Sequence, residues 1–97
     1  MTSSRNDADQ GLPAGIAEIR AEIDQVDAEI IRLLSIRLSS VLRAFQIKKA
    51  AGIKLWDEER EEEIIKLAAD RASEFDLPKK QVRKIFKQIL RISAKAQ

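Results

Sequence analysis

Ninety-seven residues, 44% hydrophobic and 35% charged with a formal net charge of +2, bound the chain to one small domain or one subunit of an oligomer. The absence of cysteine and histidine excludes disulfides, thiolate nucleophiles, imidazole bases and nearly all zinc or transition-metal sites. No apolar run approaches the roughly 18 residues of a membrane span, and Met1 to Gln10 lacks the apolar core of a signal peptide, so a cytoplasmic protein with no membrane partner is expected.

Residues 1–14 mix Ser, Asn, Asp, Gln, Gly and Pro without periodicity and are expected to form a flexible N-terminal tail, leaving 15–97 as the folded domain. From Ile16 onward apolar residues recur at heptad spacing. Ile16, Ile23, Ile30, Ala44 and Ala51 make one column, and Ile19, Val26, Leu33 and Ile47 make another. Neither Gly nor Pro interrupts this pattern before Gly52, which suits a C-terminal cap, so a single helix of roughly 35 residues and about 50 Å is predicted. Ile53 to Trp56 form a connecting loop. Asp57 is a good N-cap for a second helix, with Glu58 and Glu59 placed to complement its dipole and Ile64, Leu67, Ala68 and Ala72 as its apolar face. Phe75 to Pro78 break the pattern. Pro78 suits the first position of a third helix with the stripe Val82, Ile85, Phe86, Ile89 and Ile92. No segment alternates like a strand. The predicted fold is all-α, with a long, a short and a medium helix.

The length of the first helix bears on assembly. A compact monomer of about 100 residues has a radius of gyration near 13 Å, so a helix of about 50 Å would leave its stripe uncovered. Antiparallel pairing of two long helices about a two-fold axis, with the shorter helices packed around them, covers it and predicts an intertwined homodimeric bundle.

Several polar residues fall where apolar ones are expected. Arg37 occupies the column of Ile23, Ile30 and Ala44, and a buried guanidinium is costly without an anion or hydrogen-bond partners. Lys48, 11 residues later, lies only about 20° away around the helix. Ser93 and Gln97 follow Val82 and Phe86 by the same interval, so both continue the apolar face of the third helix. Arg60 and Glu61 continue the buried side of the second helix toward its N-terminus, whereas Glu62, Glu63 and Lys66 face water. Each residue has a structural reading as well: Arg37 paired with an acid across a dimer, Lys48 reaching out to solvent, Ser93 and Gln97 at a fraying end. Arg20 precedes Lys48 by 28 residues, about 42 Å along a straight helix, so one chain cannot bring both to one site. A two-fold axis near Ile30 or Ile31 instead sets Arg20 of the partner subunit beside the stretch between Arg37 and Lys48. The pattern predicts a cationic pocket of Arg37, Lys48 and Arg60 completed by the partner's Arg20, and its ligand is a small polyanion.

These residues resemble the all-helical chorismate mutase family. Ile19-Arg20-Ala21-Glu22-Ile23-Asp24, followed by Val26-Asp27, Leu33-Leu34 and Arg37, is similar to the family's first-helix signature, with Lys48 at the expected distance. Asp57-Glu58-Glu59-Arg60-Glu61 resembles its second-helix entry, and Phe86 with Ser93 and Gln97 its third-helix pattern. The resemblance spans 16–97. It implies an intertwined dimer that rearranges chorismate to prephenate on the way to phenylalanine and tyrosine. Arg37, Lys48 and the partner's Arg20 would hold the carboxylates, with Arg60 supporting that charge and Ser93 adding a hydrogen bond. Lys48 and Gln97 would donate to the ether oxygen, Glu61 would accept from the ring hydroxyl, and Asp57 would lie at the same edge, partly through its backbone. No cofactor and no metal is implied, because a unimolecular pericyclic shift needs neither nucleophile nor general base.

Isochorismate-pyruvate lyases and aminodeoxychorismate mutases are similar to this family, and Glu61 favours the mutase over the lyase. A rival of another class is a dimeric helical nucleic-acid binder. All 16 acidic residues lie at or before Asp76, while Lys79, Lys80, Arg83, Lys84, Lys87, Arg91 and Lys95 follow without one acid. That reading leaves Arg37 unexplained and lacks aromatic residues for stacking on bases, so nucleic acid is disfavoured.

Overall fold

A computed structural model describes residues 11–96, which contain three helices and, among the described residues, no strand: α1 (Ile16–Ala50), α2 (Glu58–Glu74) and α3 (Lys79–Ala96). Residues 1–10, and with them most of the expected tail, lie outside the described residues, as does Gln97. The chain divides into two compact units between Ser35 and Ile36, within α1.

The unit ending at Ser35 carries the first part of α1. Its apolar columns are exposed: Ile19, Ile23, Val26, Ile30, Ile31 and Leu33 keep between 49 and 66% of their surface. Glu29 and Arg32, one turn apart, pair their side chains on the helix surface, a contact that contributes little in solvent. No helix among the described residues is long and apolar enough to cross a membrane.

In the unit from Ile36 onward, α2 and α3 pack against each other. In this unit α2 buries the small side chains Ala68, Ala69 and Ala72, and α3 buries Leu90 and Ser93. Small residues let two helices approach closely. Phe45, from the C-terminal part of α1, completes the short list of buried residues. Within α2 the buried set differs from the predicted one, since Leu67 stays 40% exposed and Ala69 takes its place. Within α3, Ile85 and Ile92 are exposed at 56 and 45%, whereas Leu90 is buried.

The helix ends follow local chemistry. Gly52 adopts φ +70°. Its N–H donates to the Lys49 carbonyl at 3.2 Å and the Ile53 N–H donates to the Lys48 carbonyl at 2.9 Å, which is the paired hydrogen-bond pattern of a Schellman cap. The end of α2 uses the same pattern, with Asp76 to Ser73 at 3.3 Å and Leu77 to Ala72 at 2.9 Å, but here a non-glycine, Asp76, holds φ +56°. At the start of α2, Asp57 has extended backbone and its carboxylate accepts from the Arg60 N–H at 3.2 Å. Pro78 precedes α3 as its cap rather than occupying its first turn: its carbonyl accepts from the Val82 N–H at 3.1 Å. The difference is a single position, within the ordinary ambiguity of a helix boundary.

The two C-terminal caps give a prediction of opposite signs. A Cβ at Gly52 meets nothing within 4 Å, so Gly52→Ala costs only the left-handed backbone, about 1 kcal/mol. Asp76→Gly relieves the same strain and gains about 0.5 kcal/mol. Thermal unfolding of the two variants should therefore shift the midpoint in opposite directions, and shifts of the same sign would contradict the cap assignments.

Candidate active site

A cavity of about 320 Å³ lies entirely within the unit from Ile36 onward. The C-terminal part of α1 contributes Arg37, Ser40, Val41, Ala44, Phe45 and Lys48. The loop and the first turns of α2 contribute Leu55, Trp56, Asp57, Arg60, Glu61 and Ile64, and α3 contributes Leu90 and Ser93. Six residues predicted from sequence as site residues are thus brought together: Arg37, Lys48, Asp57, Arg60, Glu61 and Ser93. Arg20 belongs to the other unit.

Arg37 projects from α1 and is half-buried, and one guanidinium N–H donates to the Ser93 hydroxyl at 3.3 Å. Ser93 is 3% exposed, so its hydroxyl is a fixed partner for Arg37. Burial first, and the positive charge of Arg60 second, hold the Arg37 guanidinium below the usual arginine range. Both influences oppose its charge. An arginine in such surroundings stays ionised, and the unfavourable energy is relieved when an anion arrives.

Lys48 is also half-buried and donates from Nζ to the Leu55 carbonyl at 3.3 Å. An ammonium has three donors, so this bond leaves two for a ligand. Among the described residues no carboxylate lies within ion-pair distance of Arg37 or Lys48. Among the described residues, Arg37 and Lys48 thus have neutral hydrogen-bond partners, Ser93 and the Leu55 carbonyl, while the carboxylates of Asp57 and Glu61 line the same cavity without pairing with either cation.

Arg60 and Glu61 part company at the head of α2. Glu61 is half-buried at the cavity wall. Arg60 was expected on the buried side but is exposed, and it pairs with Glu63, a residue expected to face water alone. The i,i+3 spacing on a solvent-facing helix turn explains the pair. Asp57 is at the rim, with one carboxylate oxygen already committed to the Arg60 N–H. Gln97 lies outside the described residues.

Sequence reasoning missed Phe45, Ser40 and the loop residues Leu55 and Trp56 as cavity walls. Loops carry no periodicity from which facing can be read. The usable signal was chemical: the one tryptophan of the chain directly precedes the N-cap Asp57.

Beside the cavity and sharing Arg37 and Arg60 with it runs an apolar groove of about 350 Å³, formed chiefly by Ile64, Leu67 and Phe75 of α2 and its end with Val82 and Phe86 of α3. Among the described residues no group of His, Cys, Asp and Glu is arranged to hold a metal ion. The basic residues of α3 are all exposed.

The described residues are thus those of an all-helical protein with a cavity walled by the partly buried cations Arg37 and Lys48. The chorismate mutase type II family model matches residues 19–97, and the chain belongs to this family, isomerases of aromatic amino acid biosynthesis that act on chorismate. Searches of curated proteins and of solved structures find no match.

Proposed function

We propose that the protein converts chorismate to prephenate in the cavity around Arg37 and Lys48, as a homodimer, with residues 15–97 as the catalytic domain. The observation that carries this reading is the pair of half-buried cations without a carboxylate counterion among the described residues. A dicarboxylate substrate supplies the missing charge.

The rearrangement breaks a carbon–oxygen bond of the ether while a carbon–carbon bond forms, within one molecule and with no proton transfer. The protein has two tasks: to hold the extended dianion in its reactive chair form, and to place donors where the ether oxygen gains negative charge. Arg37, steadied by Ser93, binds a carboxylate, and Arg60 adds to the field at the rim. Lys48 binds charge and donates to the ether oxygen, and Gln97 is its proposed second donor. Glu61, on the cavity wall, accepts from the ring hydroxyl, and Asp57 marks the same edge while capping α2.

The exposed isoleucines of α1, which keep about half of their surface in a single chain, support the proposed dimer. Covering them against a second α1 and against the apolar groove beside the cavity is the economical arrangement for so small a chain. That groove shares Arg37 and Arg60 with the cavity, so a partner helix lying in it delivers the partner's Arg20 next to both.

The test is incubation of the purified protein with chorismate, isochorismate and 4-amino-4-deoxychorismate in turn, with the product identified in each case. Prephenate from chorismate supports the reading. Pyruvate release from isochorismate alone indicates the lyase, turnover of the amino compound alone indicates the aminodeoxychorismate mutase, and no turnover of any of the three indicates a chain that keeps the fold without the activity.

A further inference from the structure

The loop between α1 and α2 returns to Lys48 twice, once through the backbone cap that ends α1 and once through the lysine side chain. The Lys48 carbonyl accepts from the Ile53 N–H at 2.9 Å, and the Lys48 ammonium donates to the Leu55 carbonyl at 3.3 Å. The next residue, Trp56, sets its ring against that of Phe45, with centroids 6.3 Å apart and planes inclined at 48°. This separation is within the range of a favourable aromatic pair. Phe45 is buried and stands three residues before Lys48 on the same helix, so the contacts close a ring: Phe45, one turn of α1, Lys48, the Leu55 carbonyl, Trp56 and back to Phe45.

A lysine side chain has four rotatable bonds, and holding its head in one place normally requires more than one hydrogen bond. The Leu55 carbonyl can restrain the ammonium only if the carbonyl itself is fixed. A loop backbone in a small domain is otherwise among the more mobile parts of the chain. Phe45 is held by burial in the unit's core, and Trp56 transmits that rigidity to the adjacent peptide group. Aromatic residues suit this role because a large contact area restrains only two side-chain torsions.

We propose that Trp56 is a positioning residue: packed on Phe45, its ring fixes the Leu55 carbonyl, which in turn holds the Lys48 ammonium at the place where the ether oxygen will lie. This inference rests on Lys48 as a donor in the reaction proposed above. It assigns to Trp56 no contact with the reacting atoms. A displacement of a donor by about 1 Å can cost up to roughly 100-fold in rate, so loss of the ring is expected to act mainly on kcat.

The experiment is a double-mutant cycle joined to a measurement that needs no turnover. Trp56→Ala should lower kcat by about 10- to 100-fold with a smaller change in KM, Trp56→Phe should recover most of that loss, and Phe45→Leu should reproduce it from the other side of the contact. In a Lys48→Ala background Trp56→Ala should cost nothing further, because no ammonium remains to be placed. In parallel, side-chain NMR relaxation at Lys48 should report an ordered side chain in the parent and in Trp56→Phe, and the mobility of an exposed lysine such as Lys84 in Trp56→Ala. Additive kinetic losses, or a Lys48 side chain equally ordered in Trp56→Ala, would overturn the proposal. A parent that leaves chorismate unchanged while the NMR result holds would instead refute the proposed reaction and keep the positioning.

Discussion

Replacement of Lys48 by alanine is expected to reduce the turnover of chorismate by about 100- to 1,000-fold, the usual cost of removing one donor from a site where negative charge develops. The effect is on catalysis and not on folding. Lys48 makes one hydrogen bond to a loop carbonyl and no ion pair among the described residues. Its loss removes a half-buried charge that no carboxylate among the described residues pairs with, so the folded state sheds a partly buried charge along with a neutral bond. The melting midpoint should therefore stay near that of the parent. Lys48→Arg is not a rescue, because a planar fork cannot place its charge where a compact ammonium does. Unchanged turnover with a collapsed midpoint would identify Lys48 as a structural residue of the loop.

The second large effect concerns Gln97, whose neutral amide donates at any ordinary pH. Gln97→Glu can donate to the ether oxygen only when its carboxyl is protonated. Lys48, the other proposed donor, is a cation whose proximity favours the ionised carboxylate and so pushes protonation to lower pH. At neutral pH the variant sets a negative charge against an oxygen that is itself becoming negative, and turnover falls by about 100-fold or more. The sign of the pH dependence follows. Activity of the variant should rise as pH falls toward the ordinary carboxylate range near 4.3, while that of the parent stays comparatively flat over the same interval. Parallel profiles for parent and variant would remove Gln97 from the reacting oxygen and leave Lys48 as the sole proposed donor.

What the sequence made legible was whatever local chemistry decides. The bounds of α1, the glycine that ends it and the aspartate that starts α2 could all be read because each depends on a backbone conformation or a side-chain bond to a near neighbour. Arg37 was legible as an anomaly in an apolar column, and the structure gives it the buried hydroxyl of Ser93, a residue also singled out by its spacing. Packing between α2 and α3 was less legible. A broad apolar stripe does not tell which edge another helix covers, and here Ala69 and Leu90 are buried while Leu67, Ile85 and Ile92 stay exposed. The pairing of Arg60 with Glu63 was missed because both a cavity and a neighbouring carboxylate compete for an exposed guanidinium. Trp56 was missed because it stands in a loop, where facing is set by contacts distant in sequence, here with Phe45.

The proposed cationic site is completed across a dimer, and a mixing experiment tests this most directly. Arg20→Ala and Lys48→Ala chains should each be inactive alone, since each damages both sites of its own homodimer. After subunit exchange, a heterodimer joins the intact Lys48 of one chain to the intact Arg20 of the other and regains one whole site. Random exchange makes half of the dimers mixed, so about one quarter of the parental sites, and a matching share of chorismate turnover, should return. Recovery to that level is the result predicted; no recovery, with exchange demonstrated by mass spectrometry, would contradict the shared site and confine Arg20 to its own chain.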